Sequence, residues 1–119
     1  MKILYYTISM ESQIMSKADI AQEIRLRLKE RRVRHTLHAL KEEMRDGLTA
    51  NYIDESLLNG FELVEDYSTD PRGHSCLLLT WYRDRPIHVV CALHEVMLII
   101  VTVYIPSSQE WKDDFKTRQ

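Results

Sequence analysis

Four strand-like segments with very short connections occupy the second half of the chain. They are rich in Val, Ile, Leu and aromatic residues and cover residues 61–67, 75–82, 86–93 and 96–105. The connections between the last three are too short for a parallel crossover, which needs about a dozen residues. The segments therefore predict a four-stranded antiparallel β-meander.

Apolar residues at helical spacing predict three helices before these strands. Ser and Thr stand where N-caps are expected, and a glycine follows the second helix and the third. The second helix carries an apolar stripe of Leu37, Leu40 and Met44. Helices that precede strands in this way are typical of an α+β sandwich, with the helices packed on one face of the sheet. The predicted helical ranges are 17–34, 36–47 and 49–60.

The length and composition fit one domain. The chain has 119 residues, of which 45 % are hydrophobic and 29 % charged, and this leaves little room for two cores. We treat 1–119 as a single domain in which residues 1–15 are an N-terminal extension or an additional strand. The sequence also allows a short helix over 107–115.

Nothing in the sequence indicates a membrane or an oxidising compartment. The longest apolar run, residues 96–105, is about half of the roughly 20 residues that a membrane span needs. The two cysteines, Cys76 and Cys91, lack CxxC spacing, and we expect them to be reduced thiols packed as small hydrophobic groups. We therefore expect a soluble, cytoplasmic protein.

Charge is distributed unevenly along the chain. Residues 25–34 contain six basic residues and one acidic residue, whereas residues 42–70 contain nine acidic residues and one basic residue. The first segment favours contact with a polyanion and the second favours a basic partner, although such runs are often only solvated surfaces. The candidates for RNA contact, called here the basic stripe, are Arg25, Lys29, Arg31, Arg32 and Arg34.

Two histidines are candidates for acid–base chemistry. His38 and Glu42 are four residues apart on the second helix, so the carboxylate can hold the imidazole, although a surface ion pair has the same spacing. His88 interrupts an apolar strand, where a buried imidazole needs a hydrogen-bond partner. We interpret the adjacent pairs Glu42–Glu43 and Glu65–Asp66 as solvated, because neighbouring side chains point apart.

The last hairpin decides whether His88 joins other polar residues. A turn that pairs Leu93 with Met97 places His88 opposite Thr102, whereas pairing Leu93 with Val96 places the two on opposite faces. In the first case, His88, Thr102 and Tyr104 form a polar patch. Arg72 from the loop and His38 from the second helix would complete this patch. An imidazole, a phenol and a guanidinium suit metal-free cleavage of an RNA phosphodiester.

Other chemistries find no support in the sequence. It contains no GxGxxG, Walker or GxSxG motif, so nucleotide binding of those kinds and hydrolase chemistry are not indicated. The five histidines and two cysteines lack HExxH or CxxC spacing. We therefore predict no metal and no cofactor.

Six motifs are distinctive in combination: HALKEEM (38–44), LLNGFELVEDY (57–67), DPRGHSCLLL (70–79), PIHVVCAL (86–93), VTVYIP (101–106) and EWKDDFKTR (110–118). Together they resemble a small bacterial family, domain of unknown function 4258. The resemblance extends over nearly everything after about residue 20. It implies a RelE-like fold and the toxin of a toxin–antitoxin pair, an mRNA endonuclease neutralised by an antitoxin with a zinc finger and a helix-turn-helix.

The resemblance also implies positions for the site. The residues expected to perform the chemistry are His38, Arg72, His88 and Tyr104. The residues expected to support them are Glu42, Asp66, Tyr67 and Thr102. The alternative function is a non-catalytic module that binds a partner protein or nucleic acid, and exposed strand edges leave a homodimer open.

Overall fold

A computed structural model describes residues 16–71 and 73–119, and in that part of the chain it shows three helices and five strands. The prediction made for residues 1–15 lies outside the described residues. In chain order the elements are α1 (Lys17–Lys29), β1 (Val33–His35), α2 (Leu37–Arg45), α3 (Ala50–Asn59), β2 (Glu62–Tyr67), β3 (His74–Tyr82), β4 (Arg85–His94) and β5 (Met97–Tyr104). The mixed α+β class is confirmed.

The five strands form one sheet in the order β1-β5-β4-β3-β2. The four strands from β2 to β5 pair antiparallel with their neighbours in sequence, as predicted. The prediction of a purely antiparallel, four-stranded sheet is nevertheless wrong, because β1 adds a fifth strand that runs parallel to β5. The chain between β1 and β2 contains α2 and α3, which cross one face of the sheet.

The first helix is shorter than the predicted range of 17–34. It ends at Lys29, and Arg31 then adopts a φ of 60°, in the left-handed region that reverses the chain. The following three residues pair with β5, with Val33 opposite Leu98. The local pattern missed this strand because its partner lies more than 60 residues away, and local propensity is silent about such pairing.

The core lies between the three helices and one face of the sheet. α1 contributes Ile20, Ile24 and Leu28, which follow one another at helical spacing as predicted. The strands contribute alternate residues, so the opposite side chains of each strand face away from the helices. The buried residues from α3 and the sheet are Ile53, Leu57, Cys76, Leu78, Ile87, Val89, Cys91, Leu98, Ile100 and Val103.

The two cysteines agree with the expectation made for them. Cys76 and Cys91 are free thiols, and both are buried in this core, as predicted. Burial raises the pKa of Cys76 to about 12, so its thiol is protonated at neutral pH. None of the described helices has the length and apolar character that a membrane span requires.

Helix α2 has its polar side inside. Leu37 and Met44, which belong to the predicted apolar stripe, are 67 % and 76 % exposed. The buried side of the helix is formed by Ala39, Glu42 and Glu43. The expectation that Glu42 and Glu43 are solvated is therefore wrong, because both carboxylates have partners inside the protein.

The partner of Glu43 is the imidazole of His35 at the end of β1. His35 Nδ1 lies 2.6 Å from Glu43 Oε2, and its Nε2 lies 2.8 Å from Asp54 Oδ1 on α3. Burial lowers the pKa of His35, but the hydrogen bonds to Asp54 and Glu43 outweigh burial and leave the pKa raised. The one imidazole thus joins β1, α2 and α3.

Glu42 has a different partner, the edge of β5. Its Oε1 accepts the backbone N–H of Val103 at 2.8 Å, and the Thr36 hydroxyl donates to the carbonyl of Val101 at 3.0 Å. Among the described residues, β1 pairs with Leu98, Ile99 and Ile100. The side chains at the start and middle of α2 therefore bind the backbone of β5 where β1 has ended, which protects that strand edge.

The C-terminal residues after β5 do not form the helix allowed over 107–115. They fold back as a turn closed by an isolated bridge between Trp111 and Arg118. Asp114 accepts the backbone N–H groups of Lys116 and Thr117 and so fixes the turn. Trp111, only 1 % exposed, anchors the turn. Burying this large aromatic side chain stabilises the turn more than the segment's weak helix propensity would stabilise a helix.

We expect Glu43→Gln to destabilise the protein by about 3 kcal/mol, because it removes one partner of a buried cation. The raised pKa of His35 means that its ion pairs stabilise fully below the ordinary value of 6.5 and that this contribution is lost as the pH rises through the raised value. The loss on substitution should therefore be larger at about pH 6 than at about pH 9. Urea unfolding at both pH values measures it.

The matched control is Glu55→Gln. Glu55 lies 3.6 Å from Arg31, with both side chains more than 60 % exposed, and removing such a pair costs less than about 1 kcal/mol. Equal losses for the two substitutions, or a loss for Glu43→Gln that does not depend on pH, would show that the buried cluster does not hold the three elements together.

Candidate active site

His88 and Tyr104 are direct neighbours across β4 and β5. A bulge between Val90 and Cys91 shifts the pairing of these strands by one residue and brings His88 opposite Tyr104. Thr102 pairs with Val90 and therefore lies on the same face of the sheet. That face is the one turned away from the helices. His88, Thr102 and Tyr104 therefore share one face, a point that the sequence left open.

The hairpin that produces this arrangement matches neither of the two alternatives derived from the sequence. Leu93 pairs with Leu98, so it pairs with neither Met97 nor Val96. The turn is a two-residue one, closed by His94 and Met97. Without the bulge, such a turn would place His88 and Tyr104 on opposite faces, since one residue of slip exchanges the faces of a strand.

The imidazole of His88 has a hydrogen-bond partner on each nitrogen. Its Nε2 lies 2.7 Å from the carbonyl oxygen of Phe115, which can only accept, so Nε2 carries the proton. Nδ1 therefore accepts the hydroxyl proton of Tyr104 at 2.9 Å. Trp111 stands edge-on to the imidazole at 4.5 Å between ring centroids. Burial lowers the pKa of His88, which keeps the ring neutral at pH 7.

A carboxylate and a guanidinium lie beside this pair. Arg118 donates to both oxygens of Glu65, at 2.7 and 3.0 Å, and its guanidinium lies 4.6 Å from the Trp111 ring centroid. The hydroxyl of Tyr67 also donates to Glu65. The hydrogen bond from Arg118 lowers the pKa of Glu65, whereas burial and the hydrogen bond to Glu65 raise the pKa of Tyr67 to about 12.

Together these residues form one polar cluster on the open face of the sheet, called here the His88 cluster. His88 itself is fully buried, and burial also raises the pKa of Tyr104. Arg118, by contrast, has a side chain that is 61 % exposed. A ligand can therefore meet the guanidinium first, while the imidazole lies behind. The members of the cluster are Glu65, Tyr67, His88, Tyr104, Trp111 and Arg118.

The family model for domain of unknown function 4258 (DUF4258) matches residues 35–105, more than half of the chain. The chain belongs to the DUF4258 family. No curated protein and no solved structure matches it. The matched segment is shorter than the resemblance over nearly everything after residue 20, since it runs from the end of β1 to one residue beyond β5.

The His88 cluster therefore combines two parts of the chain. Glu65, Tyr67, His88 and Tyr104 belong to the DUF4258 segment, whereas Trp111 and Arg118 follow it. The C-terminal turn completes the cluster by supplying the guanidinium and the indole. The only local signal for these two residues was the motif EWKDDFKTR, which contains both. Glu65 was interpreted as solvated, and this is wrong because its side chain is 24 % exposed and bound by Arg118.

Of the two residues predicted to complete the patch, one lies away from it and the other, Arg72, lies outside the described residues. His38 is 66 % exposed and pairs with Glu42 at 3.2 Å, as its spacing predicted. Glu42 in turn binds the N–H of Val103, so this pair lies along the edge of β5 and has no described contact with His88. The guanidinium that the described residues bring to the cluster is that of Arg118.

Asp66 lies on the other side of the sheet from the His88 cluster. It pairs with Cys76 across β2 and β3, and Cys76 belongs to the core beneath the helices. The Asp66 carboxylate is bound by the imidazole of His74. Its neighbours Glu65 and Tyr67 face the open side because successive residues of a strand alternate. Asp66 therefore does not support His88 as expected.

The helical part of the basic stripe points to solvent from α1. Arg25 and Lys29 are exposed and one turn apart, so they share one side of this helix. The guanidinium of Arg25 lies 5.5 Å from the ring centroid of Phe61. Arg31 pairs with Glu55 at 3.6 Å. These side chains lie on the helix side of the protein, away from the His88 cluster.

The last two residues of the basic stripe, Arg32 and Arg34, differ in their positions. Arg32 has a structural role, and Arg34 lies on the opposite face of the sheet. Arg32 donates to the carbonyl of Val96 in the β4–β5 turn and is therefore used within the fold. Val33 packs against the core and His35 faces Glu43, so strand alternation places Arg34 on the same side of the sheet as the His88 cluster. The stripe is not a single continuous surface.

We expect the pKa values of the two buried histidines to be shifted in opposite directions. The pKa of His35 should lie above the ordinary 6.5, because two carboxylates flank it, and the pKa of His88 should lie below 6.5, because burial dominates. Nuclear magnetic resonance titration of the assigned imidazole signals measures both values in one sample. A pKa for His88 above that for His35 would overturn the proton positions assigned here.

Proposed function

We propose that the chain is an endoribonuclease that cleaves RNA at the His88 cluster and acts as the toxin of a toxin–antitoxin pair. The observation that carries the proposal is the contact between a buried neutral imidazole and a phenol, directly beside an exposed guanidinium. These groups supply a proton acceptor and a cation at one place. Cleavage of a phosphodiester by the neighbouring 2′-hydroxyl requires both.

The proton acceptor is the pair formed by Tyr104 and His88. The Tyr104 hydroxyl donates to His88 Nδ1 and accepts from the indole of Trp111, so its oxygen keeps one lone pair for a ligand. As the 2′-oxygen of RNA attacks phosphorus, its proton passes to the Tyr104 oxygen and the Tyr104 proton passes to Nδ1. His88 becomes an imidazolium that still donates to the carbonyl of Phe115.

Arg118 and Tyr67 serve the phosphate and the leaving group. The guanidinium exchanges part of its contact with Glu65 for the phosphate oxygens, whose negative charge increases in the transition state. The P–O5′ bond breaks, and the phenol of Tyr67, with a pKa of about 12, protonates the departing 5′-oxygen. The products are a 2′,3′-cyclic phosphate and a 5′-hydroxyl end.

The surroundings of the cluster suit single-stranded RNA. Trp81 is 47 % exposed, stands edge-on to Phe115 at 5.9 Å, and borders a groove of about 330 Å³. Exposed aromatic rings bind unpaired bases by stacking. Arg34, on the same side of the sheet, is available for a phosphate. The helices pack on one face of a sheet in which β2 to β5 form an antiparallel meander, and this arrangement also supports the proposed RelE-like fold.

We expect purified protein to cleave labelled RNA and to leave 2′,3′-cyclic phosphate ends, with or without excess chelator. Tyr104→Phe and Arg118→Ala should each lower the cleavage rate by about 100-fold, since each removes a group that acts in the transition state. Mapping the ends of the fragments identifies the chemistry. Because burial lowers the pKa of His88, the wild-type rate should fall only at a pH below the ordinary histidine value of 6.5.

Tyr82→Phe and Arg83→Ala are the matched controls. Tyr82 stacks on Tyr52 at 4.7 Å and Arg83 lies over Tyr82, so neither belongs to the His88 cluster. Both variants should retain wild-type cleavage. If Tyr104→Phe and Arg118→Ala are folded by circular dichroism and cleave as fast as the controls, the proposed site is wrong.

A second candidate function is a protein-binding module that uses the outer face of α2. The observation that favours it is the exposure of Leu37, Leu40 and Met44, three apolar side chains on one face of a helix whose buried side is polar. Exposed apolar patches of this kind mark interaction sites. For this second function, the partner that we test is a second copy of this chain. The antitoxin with a zinc finger and a helix-turn-helix is the partner proposed for the toxin.

We expect light scattering to show a mass that rises with concentration towards a dimer. The double variant Leu37→Lys, Met44→Lys should remain a monomer, because two charges would have to be buried in the interface. Leu26→Lys, at a leucine of α1 that is 43 % exposed, is the control and should still dimerise. A wild-type protein that stays monomeric at all concentrations would exclude α2 as a self-association surface.

A further inference from the structure

Three metal-ligating side chains meet on the helix side of the sheet. They are Asp66 of β2 and His74 and Cys76 of β3, and one ligand atom from each lies within 4.8 Å of the other two. Asp66 and Cys76 are direct cross-strand neighbours. His74 precedes Cys76 by two residues and therefore points to the same side. The trio consequently depends on strand pairing, which fixes the three Cα positions.

The trio has one apolar side and one accessible side. Cys76 is 1 % exposed and packs in the main core. The side chains of His74 and Asp66 are 15 % and 20 % exposed, which leaves an approach from solvent. His74 Nε2 contacts Asp66 Oδ1 directly, so an imidazole nitrogen and a carboxylate oxygen already face each other beside the thiol.

We propose that Asp66, His74 and Cys76 bind one zinc ion. Thiolate sulfur, imidazole nitrogen and carboxylate oxygen are the three donor types that Zn²⁺ prefers, and Zn²⁺ tolerates a tetrahedral site with three protein ligands and one water. A thiolate also disfavours Mg²⁺ and Ca²⁺, which require oxygen ligands. Binding would convert the Cys76 thiol to a thiolate and release its proton to solvent.

The proposed zinc site is independent of the proposed function. Asp66 lies between Glu65 and Tyr67 in β2, but its side chain points to the opposite face of the sheet from the His88 cluster. A zinc ion here would link β2 to β3 next to the loop that joins them. The site would thus stabilise the end of the sheet without contacting the groups proposed to cleave RNA.

The test is titration of the full chain, freed of metal by chelator, with Zn²⁺ in a calorimeter and with Co²⁺ in a spectrophotometer. We expect one ion per chain and a thiolate-to-cobalt charge-transfer band. Cys76→Ser should abolish the band, and Asp66→Asn should weaken zinc binding by at least roughly 10-fold. Because Asp66 is partly exposed, this variant tests the site even if Cys76→Ser fails to fold.

Cys91→Ser is the matched control. Cys91 is the cross-strand neighbour of Cys76 and is equally buried, but it is not among the three grouped ligands. It should retain the charge-transfer band and the wild-type affinity. The proposal is overturned if the wild-type protein binds no zinc, if the cobalt spectrum lacks the thiolate band, or if Asp66→Asn binds zinc as tightly as the wild type. These readouts require no RNA, so they stand apart from the cleavage test.

Discussion

The buried imidazole of His35 determines how the helices meet the sheet. It bridges Glu43 of α2 and Asp54 of α3 from the end of β1, and its raised pKa favours the charged ring. When its ring is charged, His35 requires these carboxylates, because leaving a buried charge unpaired costs several kcal/mol. α2 must therefore turn its polar side inward, which explains why its leucines and Met44 face solvent.

The same orientation of α2 positions the strand that carries Tyr104. Because α2 turns its polar side inward, Glu42, the residue before Glu43, also faces the sheet and accepts the N–H of Val103. β5 is thus held by β1 along its first half and by α2 along its second half. A fixed β5 is needed for the contact between His88 and Tyr104, because that contact depends on the pairing of single residues.

The sequence was informative where structure depends on local pattern. The four apolar runs became β2 to β5, and the N-caps at Ser16, Thr36 and Thr49 are formed as their residue types indicated. The local sequence pattern gave no information where structure depends on partners that are distant in the chain. β1 consists of three residues at the end of an arginine-rich segment, and the buried side of α2 is set by His35 and by the backbone of β5. Neither partner can be identified from helical spacing.

The candidate site shows the same division. The kinds of side chain that it contains were predicted from the sequence, but not all of its residues were. His88 and Tyr104, which share a face in one of the two hairpin alternatives, are in contact, and the guanidinium beside them belongs to Arg118, 53 residues from the Glu65 that it binds. The bulge at Val90 brings His88 to Tyr104. Strand alternation then assigns Glu65 and Tyr67 to the cluster and Asp66 to the opposite face. β2 therefore contributes side chains to both proposed sites, one set on each face of the sheet.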